Sequence, residues 1–238
     1  AMSAIAHEIR PAVADLSMTS AQLPANNKAL HDQLFITIDL NAELFLAGLD
    51  ASFVRDTDDA PQGKDYDALR ALTADQLAQK FTNQWPNFEK ALTGIADDRP
   101  LSFQLDSIQV EDNPAITLPR SSKIKISAPL NPNDASVRFG WNAALGPLVI
   151  RQQNQTEKPE NLYTAYLEPG EISASIKRQG VTAQPVLTIM LDYAKIGFVH
   201  IVPKGLDHIL FVLGLFFYAA RWRPLLGQVT LFTLAHTA

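Results

Sequence analysis

The last forty-odd residues, IGFVHIVPKGLDHILFVLGLFFYAARWRPLLGQVTLFTLAHTA from Ile196 to Ala238, constrain this chain more than any other stretch. Two apolar runs, Ile209–Ala220 and Pro224–Ala238, flank the basic tripeptide Arg221-Trp222-Arg223. Three of the chain's five histidines lie here (His200, His208 and His236), together with a single carboxylate, Asp207. Ionisable groups inside sequence of membrane grade are costly to bury, so by default they propose a functional site. Everything upstream reads as a soluble domain delivered to the outer face of that membrane.

The first apolar run has 12 uncharged residues. Begun at Leu206, so that it absorbs Asp207 and His208, it is long enough to span a bilayer with a little tilt. Pro203 and Gly205 suit the start of such a helix. Arg221 and Arg223 mark its cytoplasmic end by the positive-inside rule, which leaves the N-terminal domain outside; Lys204 is a single opposing charge. The second run reaches 15 residues where a span needs about 20. With Ala1 as its first residue, the sequence therefore reads as a fragment of a longer membrane protein, with further spans beyond Ala238.

If Arg221–Pro224 is a tight turn, two helices run antiparallel from it. His208 precedes Arg221 by 13 residues and His236 follows Arg223 by 13. At the helical rise both imidazoles sit about 20 Å above the cytoplasmic end. Equal depth on neighbouring helices, with Asp207 adjacent and His200 just upstream, lets these groups converge in the outer part of the bilayer. Imidazole and carboxylate ligands of this kind suit nickel, cobalt, zinc or copper(II), and suit magnesium or calcium poorly. A structural role is also open to each. Asp207 can cap a helix, His208 can sit at the interface, and His236 can hydrogen-bond between helices as Thr230 and Thr233 can. His200 can belong to an amphipathic lead-in.

Composition narrows the upstream part. A net charge of −5 without a basic stripe argues against nucleic acid. The absence of cysteine removes disulfides, iron–sulfur clusters and thiolate zinc sites. The opening AMSAIA resembles the end of a secretory signal peptide, because Ala4-Ile5-Ala6 fits the small-x-small cleavage pattern and makes His7 the mature N-terminus. A terminal histidine offers an amine and an imidazole to copper(II) or nickel, which makes His7 a candidate ligand; otherwise it simply follows a cleavage site.

The elements between these ends read mainly as strands. Glu8–Gln22 suits an extended segment and His31–Leu40 alternates as a strand. Asn41–Leu49 extends that strand or turns helically. Asp56–Asp67, with five Asp, Pro and Gly, reads as a solvated loop. It fails as a calcium loop, since Pro61 stands at the sixth position and no Glu at the twelfth. Ala68–Ile95 reads as helical, with a capping box at Thr73–Gln76 and an apolar stripe of Leu77, Phe81, Trp85 and Phe88; Pro86 predicts a break or kink. Further strands are predicted over Leu101–Val110, Lys123–Ala128, Ala135–Trp141, Leu148–Gln152, Tyr163–Leu167 and Ile172–Lys177. Leu187–Tyr193 leads into the membrane.

The expected fold is therefore a mainly β soluble domain followed by α-helical transmembrane segments. The β domain is an antiparallel, sandwich-like arrangement with one inserted helical region. Residues 1–6 end a signal peptide, 7–193 form a periplasmic domain, and 194–238 begin a multi-span membrane domain. The soluble part has no GxSxG and no phosphate loop, and its histidines are His7 and His31. His31 reads as a surface or strand-edge residue.

Three sets of residues resemble one family: His200, Gly205-Leu206-Asp207-His208-Ile209-Leu210-Phe211, and Thr230-Leu231-Phe232-Thr233-Leu234-Ala235-His236-Thr237. They look like the paired signatures of the HupE/UreJ membrane proteins, a His…Asp-His motif on one span and Phe-Thr-Leu-Ala-His on the next. Ala6-His7-Glu8-Ile9-Arg10-Pro11 resembles the opening of the branch with an N-terminal extracytoplasmic domain. His200 departs from the related nickel-permease signature, being separated from Asp207 by six intervening residues where that signature has five. The resemblance implies transition-metal uptake or handling, with nickel first, as substrate or ligand at Asp207, His208, His236 and His200. It implies a non-enzyme in the bacterial inner membrane, in contact with lipid, with an envelope partner or a second copy of the chain as further candidates. The alternatives are an envelope adaptor without transport activity and a metal-dependent intramembrane enzyme.

Overall fold

The structure, a computed structural model, describes residues 11–19, 32–54, 60–112, 120–153 and 162–178. The chain divides into two compact units, Ala1–Gln184 and Pro185–Ala238, and every described residue belongs to the first.

This unit is mainly β with few helices. Strands β1 (Ala12–Thr19), β2 (Gln33–Leu40), β5 (Gln104–Val110), β6 (Ser122–Pro129), β8 (Leu148–Gln152) and β9 (Thr164–Leu167) form one sheet in the order β5-β6-β2-β1-β8-β9. A smaller sheet has the order β10-β7-β3-β4, from β3 (Leu92–Ala96), β4 (Arg99–Pro100), β7 (Ser136–Trp141) and β10 (Ile176–Lys177). Alternation explains the register of the larger sheet, because a slip of one residue would turn every buried side chain to water. Leu34, Ile36 and Ile38 of β2 are buried, and Ile36 and Ile38 stand opposite Ile126 and Ile124 of β6. Leu16 of β1 faces Ile36 from the other side. Phe139 and Val137 of β7 and Ile176 of β10 join the same hydrophobic cluster, so both sheets share one core.

The helices α1 (Ala42–Leu46), α2 (Gly63–Arg70) and α3 (Ala74–Glu89) all lie between β2 and β3 in sequence, as one insertion. Asn41 stops β2 and starts α1, its carboxamide oxygen accepting from the Glu43 and Leu44 amides. Thr73 and Gln76 close a reciprocal capping box on α3. Leu77, Phe81 and Phe88 of α3 are buried, and Phe45 of α1 meets the Phe81 and Phe88 rings edge-on at 5.8 and 5.0 Å. That geometry favours the ring quadrupoles as well as burial.

Several expectations change. The larger sheet is not wholly antiparallel, because β1 and β8 pair in parallel with Asp15 opposite Arg151. The long stretch of chain between them supplies the crossover a parallel pair needs. The helical region expected to reach Ile95 ends at Glu89, and Leu92–Ala96 is strand β3. Thr93 and Ile95 are β-branched, and Gly94 lies where a Cβ would strike the Phe103 ring. The break expected at Pro86 is absent, and α3 runs through it. Pro86 is on the exposed face near the helix end, so the carbonyl it frees faces water. Part of the loop expected over Asp56–Asp67 is helical, since α2 begins at Gly63 and buries Tyr66 and Leu69. Ile172–Lys177 pairs over Ile176–Lys177 and at one bridge between Ile172 and Gly140. Between them the Ser173 hydroxyl takes the Phe139 amide and so replaces a ladder bond.

Candidate functional site

All five candidate ligands (His7, His200, Asp207, His208 and His236) lie outside the described residues, as does His31. Among the described residues, no three or more His, Cys, Asp or Glu side chains gather as a metal site. Among them too, no helix is long and apolar enough to cross a membrane.

What the described unit does hold is buried charge at two places. At the first, Arg120 spans the helical insertion. Its Nε lies 2.7 Å from Glu43 Oε1, and both side chains are almost wholly buried. Its two terminal nitrogens donate to the carbonyls of Leu72 and Leu69, at 2.9 and 3.1 Å, beside the last turn of α2. One guanidinium thus reaches one carboxylate oxygen at the start of α1 and carbonyls at the end of α2, as its planar fork of donors allows, while the buried Glu43 Oε2 has no hydrogen-bond partner among the described residues. Beside it, Asn41 Nδ2 donates to the Tyr66 hydroxyl at 2.8 Å. Burial raises the Tyr66 pKa, against the opposing pull of the Asn41 hydrogen bond and the Arg70 charge.

At the second place, Arg178 follows β10 and closes the opposite end of the strands. Its Nη2 lies 2.7 Å from Asp32 Oδ1, with both side chains under one-tenth exposed. Its Nη1 donates to Asn131 O at 3.2 Å and its amide to Ala135 O at 2.9 Å. Asp32 precedes β2 and Asn131 follows β6, so Arg178 fastens the end of the smaller sheet to the larger one.

A crevice lined in part by Leu40, Asn41, Leu44, Phe88, Trp141 and Leu145 is mostly apolar, and its two polar side chains bond within the unit. Asn41 caps α1, and Trp141 Nε1 donates to Gly146 O at 2.8 Å.

Sequence reasoning missed the buried pairs. Glu43 and Arg120 stand 77 residues apart, and no local pattern links them. The one available signal is that Glu43 falls in the apolar segment Ala42–Leu46, where a charge needs a partner.

The final stretch of the chain is similar in sequence to a known class of proteins. Proteins of that class are membrane proteins, transporter-like rather than enzymes, and associated with nickel or cobalt transport or handling. Residues 177–238 match the family described as HupE / UreJ protein. The match begins at Lys177 in β10 and includes His200, Asp207, His208 and His236. No curated protein matches the chain.

Proposed function

We propose that this protein takes up or handles a transition-metal ion, nickel first, at the bacterial inner membrane. Asp207, His208 and His236, with His200, make the site that receives the ion from the periplasmic side. The observation that carries this reading is the coincidence of those four residues with the family-matched stretch. Two further points of sequence support it. His208 and His236 stand at matched sequence distances from the basic tripeptide Arg221-Trp222-Arg223, and Asp207 places a carboxyl group beside His208 in sequence. The β-rich unit then stands on the periplasmic side, after a signal peptide ending at Ala6. Any envelope partner or second copy of the chain would be held by this unit.

The ion is the cargo, so the site must both bind and release it. Neutral imidazoles ligate and protonated ones do not, so capture weakens as pH falls below about 6.5. His7, if terminal, would be a separate chelating group for nickel or copper(II).

The test is accumulation of radioactive nickel by nickel-starved cells carrying the intact protein, with zinc, cobalt and copper as competitors. Uptake should collapse in Asp207→Ala, His208→Ala and His236→Ala while membrane insertion stays normal. Undiminished uptake in all three would overturn the transport reading. Loss of a protein complex on deleting the β-rich unit, with uptake unchanged, would then assign an adaptor role.

A further inference from the structure

Phe53 is 84% exposed, whereas the next most exposed large apolar side chain of the described residues, Ile172, is 40% exposed. A single apolar residue in water is ordinary by itself. What sets Phe53 apart is how it is held and what lies on the same helical insertion. Its turn is braced on both sides. The Ala51 amide donates to the Ala144 carbonyl at 2.9 Å, and the Phe53 and Val54 amides donate to the Asp50 carbonyl at 3.2 and 3.0 Å. Asp50 Oδ1 takes the Ser52 amide at 3.0 Å. Leu49 and Val54, before and after the turn, pack with Leu44 and Tyr66. A ring presented on a fixed turn loses little further freedom when it is buried, which favours binding.

The insertion also holds an open groove of about 320 Å³. Its apolar walls are Leu46 and Ala47, from the end of α1, and Ala68, Leu69 and Leu72, from the end of α2 and just beyond it. A closed apolar cavity of about 150 Å³ already holds a benzene, so this groove has room for a phenyl ring. Phe53 of the same chain does not fill it, as its exposure shows. Ala47 connects the two features, since it lines the groove and packs on the cluster that carries Leu49 and Val54. The groove's charged lining residues are Asp65 of α2 and Lys80 of α3. Both are exposed, and neither side chain has a partner among the described residues.

We propose that the helical insertion is a contact between two copies of this chain, with Phe53 of each copy seated in the Leu46–Leu69–Leu72 groove of the other. One surface then supplies both the projection and the recess, as a two-fold interface requires. The charges obey the same symmetry, because Asp65 and Lys80 are opposite in sign and each can meet the other across the two-fold axis. A lipid surface would accept the ring and leave the groove and its charges unanswered. The contact does not depend on which ion, if any, the protein carries.

Sedimentation velocity of the intact purified protein over a range of concentrations tests it. Wild type should dimerise. Phe53→Ser, which removes the ring, and Ala68→Trp, which fills the groove, should each raise the dimer dissociation constant at least about ten-fold. Both positions are exposed, so neither substitution touches the core. Asp65→Lys should weaken the dimer, and Lys80→Asp added to it should restore the dimer. Placement is read separately, because the chain has no cysteine of its own. Differently tagged copies carrying Phe53→Cys and Ala68→Cys, mixed and treated with an added oxidant, should form a disulfide between copies about ten times more readily than Phe53→Cys with Lys125→Cys. Lys125 is exposed on β6, on the far face from the buried Ile124 and Ile126. A dimer indifferent to both Phe53→Ser and Ala68→Trp would overturn the proposal, as would equal linking of residue 53 to residues 68 and 125. Monomers at every concentration would overturn it too. A fluorophore on Phe53→Cys that shifts to the blue with phosphatidylcholine vesicles would then assign the ring to a lipid surface.

Discussion

At the scale of single residues, the unit depends on charges placed where water cannot reach them. Arg120→Met removes the partner of a buried carboxylate and should cost about 3–5 kcal/mol. Chemical unfolding of the purified chain, followed by near-ultraviolet circular dichroism, reads that loss; a change below about 1 kcal/mol would contradict it. The double variant with Glu43→Leu should recover part of the stability and not all. The carbonyls of Leu69 and Leu72 still lose their donors, at about 1–3 kcal/mol for each group left unmet. Asp97 works by a different route, on the surface. It adopts φ +49° in the β3–β4 turn, and its carboxylate accepts from the amides of Ala135 and Ser136 and from the Ser136 hydroxyl. The Ala135 amide first, then the Ser136 hydroxyl, hold its pKa below the usual 3.8. A carboxyl lowered on folding stabilises above its unfolded pKa, and that contribution is lost as pH falls through the folded value. Wild type should therefore melt above Asp97→Asn at pH 6, and the gap should close as pH falls below about 4. A gap independent of pH would show that the carboxylate charge is not what the turn uses.

At the scale of elements, the two sheets are joined at close backbone approaches as much as by their core. Gly140 of β7 lies where a Cβ would come within 2.5 Å of the Glu171 carbonyl oxygen and 3.0 Å of Ile172 Cα. Both obstacles are backbone, so Gly140→Ala should push away the segment after β9, lower the melting temperature and speed exchange at Ile172. An unshifted melting temperature would mean that the segment has room to yield. The strands with one buried face were legible in the sequence. Leu34-Phe35-Ile36-Thr37-Ile38 and Ile124-Lys125-Ile126 alternate because each slip would expose isoleucine. The capping box of α3 was legible for the same reason, its chemistry being local. What joins distant segments was not. Nothing near Val13 or Val149 announces that β1 and β8 run parallel, and a short run such as Leu92–Ala96 gives way to strand only because β7 waits beside it. The candidate metal residues were legible through the motif around Asp207-His208 and Ala235-His236; the buried pairs of the β unit carried no motif at all.

At the scale of the whole molecule, one chain joins two units of different character, Ala1–Gln184 and Pro185–Ala238. The described part of the first has one core shared by both sheets and two buried ion pairs, and the family-matched stretch starts within β10. On the proposed reading the second carries the chemistry, through imidazoles whose protonation controls the ion. The decisive measurement is equilibrium binding of radioactive nickel to the intact purified protein at about pH 7.5 and about pH 5.5, on either side of the imidazole pKa. Wild type is compared with a variant combining His208→Ala and His236→Ala. The account predicts tight binding at the higher pH, at least ten-fold weaker binding at the lower, and no comparable binding by the variant at either. Nickel affinity that is indifferent to pH, or retained by the variant, would contradict it.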